Sequence, residues 1–152
     1  MTREPVIAVI GAAAADDRVL ALARAVGEEI ASRGATLVCG GLGGVMAEAA
    51  RGARERGGHT IGILPSYDGR TANPWIEFAV ASGLGEARNA VVVGTADAVI
   101  ALAGEGGTLA EIGFALKLRR PIVALGAWSE IRGVEQAASP GDALNRLFAR
   151  IG

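Results

Sequence analysis

The chain has 152 residues, a formal charge of −1, a hydrophobic fraction of 51%, 23 glycines and few aromatics. That length suits one domain, residues 1–152, with its own core, and the near-neutral charge gives no general attraction for nucleic acid or an anionic membrane. One cysteine (Cys39) excludes an internal disulfide and a thiolate metal cluster is not expected, nor a metal role for the single histidine (His59); no run approaches the roughly 20 apolar residues that span a bilayer.

Residues 5–11 read as a first strand, with Val6, Ile7, Val9 and Ile10 buried on both faces. The N-terminus enters it without a basic region and cleavage site, so a soluble cytoplasmic protein is expected. Gly11 begins a turn, and Asp16 or Asp17 can cap the helix that follows. Val19, Leu20, Leu22, Ala23, Val26 and Ile30 give that helix an apolar stripe until Gly34 stops it. Residues 35–39 form a second strand, and Cys39 within it is expected to be an inert buried thiol. The strand runs into Gly40-Gly41-Leu42-Gly43-Gly44, and a helix from Val45 to about Arg56 follows. Residues 59–64 form a third strand.

Residues 65–74, bounded by two prolines, are a loop of a length that often covers a site. Residues 75–81 are a weaker strand. Residues 85–95 suit a strand or a helix, since Val91-Val92-Val93 is β-branched; a helix is expected because the chain must cross over before its next strand. That strand, residues 98–103, is apolar throughout. It breaks at Gly104, Gly106 and Gly107 and resumes as a helix from Thr108 to near Arg119-Arg120. Residues 121–125 form a last strand, residues 128–138 are poorly patterned, and Ser139-Pro140 opens a terminal helix with Leu144, Leu147, Phe148 and Ile151 inward.

Strands alternating with helices predict an α/β fold: a single, doubly wound, parallel, Rossmann-like sheet with helices on both faces. Ligands of such sheets sit beyond the carboxyl ends of the strands. The turns at Gly11, at Gly40, Gly41, Gly43 and Gly44, and at Gly104, Gly106 and Gly107 all fall on that edge. None is a dinucleotide-binding glycine pattern, and there is no Gly-Lys-Ser/Thr of a nucleoside triphosphatase. A strand, a glycine turn and a helix start still gather backbone N–H groups and the positive end of a helix dipole at one point, which suits a phosphate. Thr108 and Glu111, taken alone, read as a capping box for that helix. The same geometry holds Glu111 at the sheet edge within reach of a ribose hydroxyl, so cap and site are compatible. Arg88 reads either as a solvated surface arginine, the commoner case, or as a bidentate phosphate clamp.

Three segments in order, Gly40-Gly41-Leu42-Gly43-Gly44-Val45-Met46, Ala87-Arg88-Asn89 and Gly106-Gly107-Thr108-Leu109-Ala110-Glu111, resemble the Lonely Guy and molybdenum-cofactor-carrier superfamily. The Lonely Guy enzymes carry Pro-Gly-Gly-x-Gly-Thr-x-x-Glu with a required arginine upstream. The resemblance implies that Gly107 and Thr108 hold phosphate, with Arg88 and Asn89 beside them, while Arg88 and Glu111 act at a ribose and its glycosidic bond. Two departures point away from hydrolysis. Ala103-Gly104-Glu105 stands where the enzymes have Pro-Gly-Gly, so Glu105 opposes a phosphate if it faces the ligand and is harmless if it faces solvent. Gly85-Glu86-Ala87-Arg88-Asn89 replaces Met-His-x-Arg-Lys, and Arg-Asn with Gly-Gly-Val-Met looks more like the molybdenum-cofactor carriers. The implied ligand is a nucleoside monophosphate or molybdenum cofactor, with no further cofactor or metal required. A nucleoside 5′-monophosphate phosphoribohydrolase is the alternative. A homodimer or higher homo-oligomer is also expected, with alanine-rich residues 46–53 allowing close helix contact between subunits.

Overall fold

The computed structural model describes residues 3–151 and has the alternating architecture that the sequence predicts. In chain order it comprises β1 (Val6–Ile10), α1 (Asp17–Ser32), β2 (Thr36–Cys39), α2 (Val45–Glu55), β3 (Thr60–Leu64), β4 (Phe78–Ala81), α3 (Arg88–Thr95), β5 (Ala98–Ala101), α4 (Gly106–Lys117), β6 (Ile122–Ala124), β7 (Glu135–Gln136) and α5 (Pro140–Ile151). The strands form one seven-stranded sheet in the order β4-β3-β2-β1-β5-β6-β7, and every pairing is parallel. Residues 121–125 are therefore not the last strand. The poorly patterned segment after them adds the two-residue edge strand β7, too short to show a period.

The sheet is apolar on both faces because it is covered on both. Ile7, Val9, Leu37 and Ile100 pack with α1, α2 and α5, while Ala8, Ile10, Val38 and Val99 pack with α3 and α4. Alternate residues of one strand thus serve opposite layers. The α1–α2 contact is close because glycines permit it: a Cβ on Gly27 would lie 1.9 Å from the Ala49 carbonyl oxygen, and one on Gly52 would lie 2.0 Å from that of Arg24. This corrects the expectation for residues 46–53, whose small side chains in α2 are buried against α1 of the same chain.

Strand order locates the site. β1 leads to α1 on one face of the sheet and its neighbour β5 leads to α4 on the other, so the chain turns opposite ways at the carboxyl ends of β1 and β5. Such a divergence leaves a crevice in which ligands of open parallel sheets bind. No described helix is long and apolar enough to cross a membrane.

Candidate functional site

The crevice is a cavity of about 530 Å³ at the carboxyl ends of β1 and β2 and the start of α4. The first turn follows β1, where the Ala12 N–H donates to the Ala103 carbonyl (2.9 Å) and the Ala12 carbonyl accepts from the Val45 N–H (3.0 Å). These two bonds lock together the turns after β1, β2 and β5. The Trp128 indole N–H donates to the Leu102 carbonyl (2.9 Å), bracing the end of β5 from below.

Helix α4 begins at Gly106, two residues earlier than the sequence suggests, with Glu105 as its N-cap. The Glu105 side chain makes no capping bond, and the first bond back to it is Leu109 N–H to the Glu105 carbonyl (2.9 Å). Thr108 and Glu111 are therefore not a capping box: Thr108 already lies inside the first turn and Glu111 in the second. The N–H groups of Gly106, Gly107 and Thr108 have no acceptor among the described residues. Three free donors at the positive end of a helix favour an anion.

The cavity also holds polar side chains that the protein does not satisfy. Thr108 is 4% exposed and Glu111 8% exposed, both line the cavity, and neither side chain has a hydrogen-bond partner among the described residues. Their oxygens keep access to the cavity, where they are free to pair with a polar group of a ligand. Burial raises the Glu111 carboxyl from its ordinary 4.5 to about 7, and the Arg88 charge opposes that rise. Gly104 sets the Thr108 side chain, since a Cβ on Gly104 would lie 2.1 Å from the Thr108 Oγ1. Gly107 is different: a Cβ there meets only the Asn89 Nδ2 at 3.8 Å and would project into open space.

Arg88 opens α3 and is half-buried. Its Nε donates to the Ile63 carbonyl (2.9 Å), one terminal nitrogen to the Asn89 side-chain oxygen, and the other to the Gly40 carbonyl (3.4 Å). The guanidinium is thus anchored to the ends of β2 and β3, facing the cavity and not bulk water. Asn89, 8% exposed, is held by the same contact, leaving its amide nitrogen beside Gly107. Cys39 lies beneath this cluster, and burial pushes its thiol up to about 12.

Of the residues singled out from the sequence, Gly11, Gly40, Arg88, Asn89, Gly107, Thr108 and Glu111 come together around the cavity. Gly41, Gly43, Gly44, Gly104 and Gly106 do not line it. Gly41 and Gly44 serve the backbone, with φ of 78° and 64°. Of residues 65–74 only Pro65 reaches the cavity. Asn73 instead ties that loop to the second glycine turn, donating from Nδ2 to the Leu42 carbonyl (2.8 Å). Sequence reasoning missed the apolar wall formed by Leu42, Met46, Pro65 and Ala12 to Ala14, and the exposed rim carboxylate Glu86; Glu105, whose direction the sequence left open, is exposed at the cavity rim. The Leu42 to Met46 wall follows directly from the second glycine turn, so its adjacency to a predicted site edge was the available signal. Among the described residues no group of three or more His, Cys, Asp or Glu side chains gathers to hold a metal.

A family model described as the SLOG cluster4 family matches residues 4–146. The chain belongs to that family. An uncharacterised protein of Archaeoglobus fulgidus is 38% identical over 139 residues, covering 91% of each chain. The molybdenum cofactor binding protein of Rippkaea orientalis is 34% identical, with a TM-score of 0.94 and all of both chains covered. The Moco carrier protein of Chlamydomonas reinhardtii is 35% identical, with a TM-score of 0.87 over 97% of this chain and 99% of that one. The SLOG protein described here is thus similar over its whole length to structures whose names state molybdenum cofactor binding or carriage.

Proposed function

We propose that this SLOG protein binds a phosphate-bearing small molecule, a molybdopterin-type cofactor or a nucleoside monophosphate, at the carboxyl edge of its sheet. The observation that carries the reading is the free N–H groups of Gly106, Gly107 and Thr108, the last two residues lining the cavity, beside an unpaired Thr108 hydroxyl that opens onto it. Phosphate oxygens accept from these donors, and the Arg88 charge lies across the same cavity. The donor set fits a phosphate, and the Leu42 and Met46 wall offers an apolar surface to a flat ring. The similarity to proteins named for molybdenum cofactor supports a pterin as that ring. Calorimetric titration with AMP and with molybdopterin tests the reading. Saturable binding that is weakened in Thr108→Val is expected; absence of binding to either, and to inorganic phosphate, overturns it.

A second reading rests on Glu111. A buried carboxyl that ionises near pH 7 beside an arginine can, as the anion, stabilise the positive charge that develops on a ribosyl group as its base departs. That is phosphoribohydrolase chemistry. Incubation with a panel of nucleoside monophosphates decides it: free base from the wild type, with turnover lost and binding kept in Glu111→Gln, supports hydrolysis. Binding without release of base leaves the carrier reading alone.

A further inference from the structure

Helix α4 presents two parts of the site on one face. Gly107, Thr108 and Glu111 follow at i, i+1 and i+4 and all line the cavity, so Glu111 stands one turn along from the free amides. In an α-helix the Cα–Cβ bond tilts toward the N-terminus, which leans the Glu111 side chain back toward the Gly107 and Thr108 turn. Glu111 is 8% exposed, its oxygens open onto the cavity, and it has no hydrogen-bond partner among the described residues. A phosphate on those amides therefore shares the cavity with a carboxyl.

The charges around the cavity disfavour both groups being ionised together. Glu86, just ahead of α3, and Glu105, the N-cap of α4, stand at the rim, and Arg88 is the one cation among the described residues that line the space. The turn after β1 and the start of α2 contribute Ala12 to Ala14 and Met46, which carry no charge. Beneath, in β2, burial holds the Cys39 thiol protonated, pushed up to about 12. Arg88 is committed elsewhere: its bonds go to the Ile63 and Gly40 carbonyls and to the Asn89 side chain, and none reaches Glu111. Glu86 and Glu105 are exposed, so water and salt screen them. Glu111 has little such screening, and burial already raises its carboxyl from 4.5 to about 7 against the pull of Arg88. A further negative charge close by raises it more.

We propose, on the phosphate-binding reading, that Glu111 takes up a proton as a phosphate ester enters the cavity and keeps it in the complex, where the neutral acid donates a hydrogen bond to the ligand. Donation to a phosphate oxygen replaces a like-charge repulsion by a bond. Because the bound form holds the proton to higher pH than the free form, affinity is greatest below neutrality and is lost as the pH rises from the free value through the bound one. Rising pH is thus a release signal. A carboxyl kept in its acid form does not stabilise a ribosyl cation, so proton uptake also favours carriage over release of a base.

Calorimetric titration of the full chain with AMP at about pH 7.5, where its phosphate is largely the dianion, measures the proton directly. Run in two phosphate-free buffers of different ionisation heat, it is expected to show about half a proton or more taken up per AMP bound, and none in Glu111→Gln. Inorganic sulfate, which has no proton to exchange near neutrality, should show uptake of the same sign in the wild type, which keeps the test decisive if Glu111→Gln misfolds. Wild-type affinity for AMP, relative to that of Glu111→Gln, should fall about tenfold between about pH 6.5 and about pH 8.5. Saturable AMP binding with equal heats in the two buffers, or uptake that persists in Glu111→Gln, overturns the proton's role and leaves phosphate binding standing. No saturable binding of either AMP or sulfate overturns both.

Discussion

Replacing Glu111 by glutamine removes the one carboxyl that the fold buries without a hydrogen-bond partner among the described residues. In the folded chain that carboxyl holds its proton to about pH 7; the unfolded chain releases it near the ordinary 4.5. Between those values the folded state binds more protons than the unfolded state, so stability falls as pH rises through this window. At 1.36 kcal/mol per pH unit the loss is on the order of 3 kcal/mol, and above about pH 7 it is complete. Arg88 lowers the Glu111 value and is already part of this balance, while the Cys39 thiol at about 12 titrates outside the window. Glutamine keeps the shape and carries no charge to desolvate. Urea unfolding of both proteins, followed by circular dichroism from about pH 4.5 to about pH 8, should give a wild-type curve that falls and a Glu111→Gln curve that stays flatter by on the order of 3 kcal/mol. Parallel curves would show that Glu111 is solvated or paired, and would remove the chemistry assigned to it.

Two neighbouring glycines separate packing from binding. Gly104→Ala pushes a methyl group into Thr108 and should cost about 1–3 kcal/mol of stability together with phosphate affinity. Gly107→Ala meets open space, so it should keep or raise stability by up to about 1 kcal/mol while weakening AMP binding, as thermal melts and titration would show. Gly27→Ala places a carbon 1.9 Å from the Ala49 carbonyl oxygen and should destabilise the chain by about 3 kcal/mol or more in urea unfolding, with α1 and α2 forced apart. The Cys39 thiol should resist aromatic disulfide reagents in the folded protein and react in urea, because burial holds it protonated.

The order and type of the main elements were legible because each carries its own local signal. β5 shows it as a continuous apolar run, α1 as a stripe of period 3.6, and the turns as glycines, whereas α3 followed only from the need for a crossover. Convergence of three glycine turns also followed from alternation alone. The strand order was not legible, since nothing in residues 98–101 says that β5 lies beside β1 and not β6 alone. Thr108 and Glu111 mislead locally: their spacing matches a capping box, but Gly106 and Gly107 join the helix ahead of them, which no residue pattern forces. The alanine-rich stretch of α2 shows the same limit. Small residues announce close contact without saying whether the neighbour is α1 of the same chain or another subunit.

The central claim is that the free amides at the start of α4 hold a phosphate, and backbone amide NMR reads them directly. Titrating the ¹⁵N-labelled chain with AMP should move the Gly106, Gly107 and Thr108 resonances first and furthest, in a saturable way, and inorganic phosphate should move the same set. Shifts that spare these three residues, or scatter over the surface without saturating, would contradict the account.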